Sequence, residues 1–220
     1  MKTITENKER YLNSDVPKLK KIPIFDQQIG KTTLSQRELR ILFSGKVIVE
    51  EIFDGGYTKF CFNNRFILWT TDMLKRGKIK YRLPARYFVF GILDLQNMHM
   101  LKKSSSIEIV NEIKERKKPI VNLNLDTMED YPHLITCPPN LFSGKITLEE
   151  LEVLIKKESE FGVLENNTKT PIKGIFVKSD MEILYFSIPS FVGSIITDEF
   201  QNLPELNKTE LNIIRVRKNK

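Results

Sequence analysis

The feature that most constrains the fold is a run of three apolar segments joined by two short polar turns. Residues 47–53 are rich in β-branched side chains, residues 57–62 alternate in polarity, and residues 65–69 follow Asn63-Asn64. Asp-Gly-Gly and Asn-Asn are turn-forming sequences that commonly connect neighbouring strands. The pattern therefore predicts three consecutive strands arranged as an antiparallel meander.

Two helices carry start signals. Ser35 and Thr147 are each followed three residues later by a glutamate, which is the capping-box pattern. Apolar residues at helical spacing follow both, and Gly45 is placed to end the first helix. A third helix is predicted over residues 107–117, because Ile109, Val110 and Ile113 recur at helical spacing and a Lys/Arg cluster at the end suits a helix C-terminus.

Other segments add strands without a regular alternation of strand and helix. Strands are predicted over residues 87–93, 174–178 and 183–188, whereas the proline-containing stretch 119–140 is predicted to be a loop. A mixture of this kind favours an α+β fold over a doubly wound parallel sheet.

Length and charge bound the number of domains and the class of partner. We expect an N-terminal extension at residues 1–33, one domain at residues 34–214 and a basic tail at residues 215–220 of the 220-residue chain. The formal net charge is +7. An excess of this size favours a polyanionic partner such as RNA, DNA or an anionic membrane face, with simple solubility as the alternative explanation.

Cysteine usage and hydropathy indicate a compartment. Cys61 and Cys137 are far apart and have no disulfide or metal-binding spacing. The first residues lack the apolar core of a signal peptide, and no apolar run reaches the roughly 18 residues of a membrane span. These features predict a soluble, intracellular, cytoplasmic protein that does not bind membranes.

Aromatic and histidine residues have simple explanations at this stage. Tyr57, Phe60, Phe62 and Trp69 alternate along the predicted strands. Aromatic sheet faces can stack RNA bases, but alternation on a meander favours a role in the core. The two histidines are isolated, and their spacing predicts no zinc site.

Five segments, in order along the chain, resemble the motifs of one enzyme family. The segments are residues 49–56 (Val-Glu-Glu-Ile-Phe-Asp-Gly-Gly), 88–94 (Phe-Val-Phe-Gly-Ile-Leu-Asp), 144–151 (Gly-Lys-Ile-Thr-Leu-Glu-Glu-Leu), 173–178 (Lys-Gly-Ile-Phe-Val-Lys) and 188–191 (Ile-Pro-Ser-Phe). The first resembles a Lys-x-Asp-Gly motif, and the fourth resembles Glu-Gly-aliphatic-x-Val-Lys. Over roughly residues 15–200 the chain is similar to the RNA ligases, which are covalent nucleotidyltransferases.

The resemblance implies a fold and a reaction. The fold is the α+β nucleotidyltransferase, or ligase adenylation, domain, with two antiparallel β-sheets around a nucleotide cleft and flanking helices. In the reaction, a lysine amine attacks the α-phosphate of ATP. This chain has Ile52 at the lysine position, Lys173 in place of the glutamate and Tyr185 in place of a phosphate-binding lysine. The resemblance therefore predicts a pseudoenzyme with no catalytic residue and no metal site.

Residues that match the family pattern are predicted to bind ligands. Glu51, Asp54, Gly55 and Lys178 are the predicted nucleotide-binding residues, and no cofactor is assigned beyond ATP or another nucleotide held without a covalent bond. Basic residues are predicted to contact RNA phosphates. They are Lys75, Arg76, Lys78, Lys80, Arg82, Arg86, Arg215 and Arg217.

Three functions stay open from the sequence. The first is an RNA-ligase-like pseudoenzyme that binds RNA or a nucleotide and acts as a partner, regulator or scaffold of an active enzyme or a ribonucleoprotein. The second is an active ATP-dependent RNA ligase whose nucleophile is displaced, for instance to Lys173 or Lys178 on the facing strand. The third is a structural component of an RNA–protein assembly.

Overall fold

The computed structural model describes eight ranges of the chain: residues 20–21, 33–73, 80–81, 84–116, 120–123, 127–129, 134–163 and 169–197. Most of the predicted extension, most of the basic segment at residues 75–86 and the whole basic tail lie outside the described residues. The proposed domain boundaries therefore stay predictions.

The described residues form sixteen strands, four α-helices and a 3-10 turn. In chain order the strands are β1 (Lys20–Lys21), β2 (Val47–Glu51), β3 (Gly56–Phe62), β4 (Phe66–Asp72), β5 (Lys80–Tyr81), β6 (Tyr87–Asp94), β7 (His99–Met100), β8 (Ile120–Asn122), β9 (Thr127–Glu129), β10 (Ile135–Thr136), β11 (Asn140–Gly144), β12 (Glu158–Val163), β13 (Lys169–Pro171), β14 (Gly174–Ser179), β15 (Ile183–Leu184) and β16 (Val192–Ile196). The helices are α1 (Gln36–Leu42), α2 (Lys103–Arg116), α3 (Leu148–Ile155) and α4 (Ile188–Phe191), and the 3-10 turn spans Tyr185–Ser187.

Three sheets organise these strands. The five-stranded sheet has the order β1-β16-β14-β2-β11, and the eight-stranded sheet has the order β15-β7-β6-β4-β3-β8-β9 with β10 added beside β6. A small sheet has the order β13-β12-β5. All pairs are antiparallel except β1 with β16 and β10 with β6. The predicted α+β class with mainly antiparallel sheets is therefore confirmed.

Apolar clusters arrange the two large sheets and the helices in layers. Val47 and Val49 of β2 pack with Leu39 of α1 and Leu151 of α3 on the outer face of the five-stranded sheet. A second cluster joins the eight-stranded sheet to α2. A third lies between the two sheets. Each large sheet is thus covered on both faces, which explains why β2, β4 and β6 are buried along their whole length.

The helix start signals are confirmed. Ser35 and Thr147 both form complete capping boxes, each with the glutamate three residues later. Helix α2 begins at Lys103, four residues before the predicted start, so that the serines ahead of Ile107 are helical. Among the described residues, no helix has the length and apolar character needed to cross a membrane.

The predicted meander is only half right. Strands β3 and β4 form a hairpin joined by residues 63–65, in which Asn63 and Asn64 have φ angles of 51° and 54°; tight hairpin turns often need such positive values. Strand β2, however, belongs to the five-stranded sheet. The segment at Asp54 and Gly55 therefore carries the chain from one sheet to the other and is not a hairpin turn.

Two further predictions from the sequence are corrected. Residues 183–188 are not one strand, because β15 ends at Leu184 and the chain continues in a 3-10 turn and α4. The stretch 119–140 contains three short strands in addition to loops. In both places short apolar segments are compatible with more than one backbone state, and the contacts with neighbouring elements decide.

The aromatic residues on β3 and β4 mostly belong to the core, as predicted. Phe60, Phe62 and Trp69 are buried. Tyr57 differs, since 55% of its surface is exposed. It lies at the start of β3, and its ring makes an edge contact with Phe90.

Candidate functional site

Ile52, at the predicted nucleophile position, is part of the core between the two large sheets. Its side chain is only 3% exposed and packs in the cluster that contains Trp69, Phe90 and Phe176. Its backbone N–H donates to the carbonyl oxygen of Gly174 at 2.8 Å, which extends the pairing of β2 with β14. An isoleucine here offers no nucleophile, and it holds the two sheets together.

Asp54 and Lys173 bind each other. The Lys173 ammonium donates to Asp54 Oδ1 at 2.9 Å; the Asp54 side chain is buried, whereas that of Lys173 is 21% exposed. The lysine at the position where the resemblance calls for a glutamate therefore neutralises Asp54, a predicted nucleotide-binding residue. A divalent cation at Asp54 would have to displace or face this ammonium group, so these residues do not fit a metal. No group of three or more potential ligands able to hold a metal occurs among the described residues.

Gly55 is required by close packing rather than by an unusual backbone angle. A Cβ atom at this position would lie 2.6 Å from the carbonyl oxygen of Asp72 and 2.8 Å from the side chain of Thr71. Its φ angle does not lie in the left-handed region, so the backbone conformation alone does not call for a glycine here. The glycine lets the crossing segment pass close to β4.

Lys178 is turned inward and forms part of a buried charged cluster. Its ammonium pairs with one carboxylate oxygen of Glu50 and donates to the carbonyl oxygen of Phe90 at 2.9 Å. Lys103, from the start of α2, pairs with the other oxygen of Glu50 and donates to the carbonyl oxygen of Pro138 at 2.6 Å. One buried carboxylate thus joins both large sheets and α2.

This charged cluster was not predicted from the sequence, although the sequence contains one hint of it. Glu50 and Glu51 are adjacent in a strand, and successive side chains on a strand point to opposite faces. Because β2 is covered on both faces, each carboxylate needed a partner in a different layer. The partner of Glu50 on α2 is 53 residues away in sequence, and no local pattern connects the two.

Glu51 lies on the face opposite to Glu50 and Ile52, towards the small sheet. It is 1% exposed, and Ser159 Oγ of β12 donates to its Oε1 at 2.6 Å. Burial raises the pKa of Glu51 from 4.5 to about 7, against the lowering effect of the Ser159 hydrogen bond. Its Oε2 has no hydrogen-bond partner within the described parts of the chain. The structure therefore separates Glu51 from Lys178 by the thickness of the sheet.

Tyr185 lies in the 3-10 turn and not in a strand. Its backbone N–H donates to the carbonyl oxygen of Met98 at 2.9 Å, and its ring centroid is 6.5 Å from that of Trp69. Its ring is packed against the same apolar cluster as Ile52. Two of the three positions that depart from the family pattern thus contribute to packing between the sheets.

Only two residues of the predicted RNA-binding set are within the described ranges. Lys80 lies in β5, opposite Val163 of β12. The guanidinium of Arg86 binds both carboxylate oxygens of Asp72 at 3.1 Å and lies over the ring of Tyr87. The remaining six, Lys75, Arg76, Lys78, Arg82, Arg215 and Arg217, lie outside the described residues.

Comparisons with known proteins place few limits on this site. No protein-family model matches the chain, and no curated protein matches it. A solved structure, a mutant of the Naegleria gruberi RNA ligase with ATP and manganese, is similar to it with a TM-score of 0.46 and 13% identity. The match covers 84% of this chain and 62% of the ligase chain, so this chain spans less than two thirds of that ligase.

Proposed function

We propose that this chain is a non-catalytic protein with the RNA ligase type of nucleotidyltransferase fold that binds RNA and acts as a partner, regulator or scaffold. The observation that carries the proposal is the burial of Ile52 between the two sheets, at the position where the resemblance requires a lysine. An aliphatic side chain has no atom that can attack phosphorus.

The charged residues near this position support the same conclusion. Lys173 and Lys178, the two lysines on the facing strand segment, are both engaged by carboxylates, Asp54 and Glu50 respectively. A nucleophilic amine must instead be uncharged and free to approach the α-phosphate to about 3 to 3.5 Å. These pairings argue against a displaced nucleophile.

RNA binding is supported by the net charge of +7 and by the lysines and arginines of residues 75–86 and 215–217. Proteins that neutralise RNA phosphates release counterions, so their affinity falls steeply with salt. About four phosphate contacts to single-stranded RNA would lower affinity on the order of 50-fold between about 50 and about 200 mM salt.

The test combines two measurements on the full chain. The protein is incubated with labelled ATP and magnesium or manganese and then separated on a denaturing gel. RNA binding is measured in parallel over a range of salt concentrations. We expect no covalent adduct and a steep salt dependence. A covalent nucleotide adduct would overturn the non-catalytic proposal, and the absence of RNA binding at low salt would overturn the RNA-binding proposal.

Matched variants locate the RNA surface. Replacing Lys75, Lys78 and Arg82 by alanine is expected to reduce the salt dependence of RNA binding by up to three phosphate contacts. Replacing Lys46, Lys156 and Lys157, which are exposed and lie outside residues 75–86 in the sequence, removes the same charge and is expected to have a much smaller effect. Equal losses in both triple variants would mean that only net charge matters.

A further inference from the structure

A groove of about 350 Å³ lies between one face of α2 and the segment that joins β10 to β11. None of the positions that carry the resemblance to the RNA ligases lines it. The α2 wall includes Lys103, Ile107 and Lys114, which recur at helical spacing and therefore share one face of the helix. The opposite wall includes Cys137 and Pro139.

The groove is electropositive. Lys103 and Lys114 line it directly, and its lining residues include no carboxylate. Burial raises the pKa of the Cys137 thiol, and the charges of Lys103, Lys178 and Lys114 partly offset this effect. Among the residues that line the groove, the charged groups are Lys103, which is paired with Glu50, and Lys114.

Lys103 is held in place as part of the floor. It is 9% exposed, and its ammonium is bound by Glu50 and by the carbonyl oxygen of Pro138. An ammonium group has three N–H donors, so one remains after these two contacts. Lys114, about three turns further along the same face of α2, supplies a second cation.

The walls combine these cations with apolar and amide groups. Ile107 and Pro139 offer apolar surface, and Asn111 and Asn140 offer amide donors and acceptors. A volume of 350 Å³ is at the lower end of the range of about 300 to 1,000 Å³ that holds small organic ligands. The combination suits a ligand with an anionic phosphate and a planar, hydrogen-bonding ring.

We propose that this groove binds a nucleoside monophosphate unit, with the phosphate towards Lys114 and Lys103 and the ring between Ile107 and Pro139. The unit is either a free nucleotide or the 5′ end of an RNA strand. This inference rests on the proposed function in that it names a ligand for an RNA-binding protein. None of the groove's lining residues belongs to the basic segment 75–86.

Cys137 provides a direct reporter, because it lines the groove whereas Cys61 is buried in β3. The full chain is alkylated with a maleimide in the presence of AMP, and peptide mass mapping separates labelling at Cys137 from labelling at Cys61. We expect saturating AMP to slow labelling of Cys137 at least about fivefold, whereas the same concentration of inorganic phosphate gives less protection. No protection by AMP, or equal protection by inorganic phosphate, would overturn the assignment.

Variants distinguish a groove ligand from general charge attraction. Lys114→Ala is expected to weaken AMP protection on the order of tenfold, since it removes a charge-assisted contact. Lys102→Ala removes the same charge from an exposed residue beside α2 that does not line the groove, and it should change protection less than twofold. Equal effects of the two variants would contradict the proposal.

The same protection experiment with RNA oligonucleotides identifies the source of the ligand and separates the two proposals. A 5′-phosphorylated oligonucleotide that protects Cys137 at lower concentration than AMP, and better than its 5′-hydroxyl counterpart, indicates a strand end. Protection by AMP alone indicates a free nucleotide. If RNA binds with a steep salt dependence but neither AMP nor RNA protects Cys137, the groove assignment fails while RNA binding stands. If AMP protects Cys137 and RNA does not bind, the groove assignment stands and the RNA-binding proposal fails.

Discussion

The two faces of β2 handle buried charge in opposite ways. Glu50 faces the eight-stranded sheet, where two lysines from different elements bind its two carboxylate oxygens. Glu51, the next residue, faces the small sheet, where a single hydroxyl from Ser159 is its side-chain partner. Burial then raises the pKa of Glu51 to about 7. Two adjacent carboxylates of equal burial are thus accommodated differently, one by ion pairing and one by protonation.

The comparison shows what a strand buried on both faces demands of its polar residues. Between the large sheets, the carboxylate of Glu50 is stabilised by two lysines, and these ion pairs link β2, β14 and α2. On the other face no cation is among the groups that shift the pKa of Glu51, so its neutral form is favoured. The same residue type therefore has a structural role on one face and a pH-dependent role on the other.

The largest expected effect is that of Glu50→Gln. This change leaves the ammonium groups of Lys103 and Lys178 without their buried counter-charge, and it should lower the free energy of unfolding by about 3–5 kcal/mol. Urea denaturation at constant pH measures the loss. As a control, Glu50→Leu combined with Lys103→Met and Lys178→Met should regain most of it. A single variant as stable as the wild type would mean that the ion pairs are not formed.

A pH dependence on the order of 3 kcal/mol is expected from Glu51. The folded protein holds a proton on Glu51 up to about pH 7, whereas the unfolded chain releases it near 4.5. Between these values the folded state binds more protons, so the stability contribution falls as pH rises and is flat above about 7. In Glu51→Gln this slope should vanish, and the variant should be more stable than the wild type at pH 8. A slope that survives the substitution would assign it to another group.

Ser159→Ala is expected to lower the free energy of unfolding by about 1–2 kcal/mol, because it removes a buried hydrogen bond and leaves a backbone donor without its acceptor. Ser159 Oγ donates to Glu51 and accepts from the N–H of Gly162 at 2.8 Å. Since this hydrogen bond lowers the pKa of Glu51, the variant should also move the pH transition upward. In the double variant Ser159→Ala/Glu51→Gln, the loss in free energy of unfolding should remain, but the pH transition should no longer shift. A shift in that double variant would contradict the assignment.

The smallest effect is expected from Lys173→Gln, at about 1 kcal/mol, since its pair with Asp54 is partly open to solvent. Denaturation at pH 8 measures this loss beside that of Glu50→Gln. A loss as large as that of Glu50→Gln would mean that the end of β2 is as dependent on ion pairing as its centre. The labelled-ATP assay on the same variant should again give no adduct.

Local signals in the sequence predicted local structure well. The capping boxes at Ser35 and Thr147 and the Asn63-Asn64 turn involve groups within three residues of one another, so a local sequence pattern contains all the groups that form them. The segment around Asp54 and Gly55 carries an equally strong hairpin signal, yet it crosses between sheets. Its conformation depends on the close approach of Gly55 to Asp72, a contact that no local pattern contains.

The same distinction between local and long-range information applies to the candidate site. From the residue types alone, Ile52 was known to lack a nucleophile, and the excess of lysine and arginine indicated a polyanionic partner. Folding decided that Lys173 neutralises Asp54, that Lys178 and Lys103 share Glu50, and that Glu51 faces away from all of them. Chemical identity is a property of each residue, whereas charge pairing and burial depend on which distant elements are brought into contact.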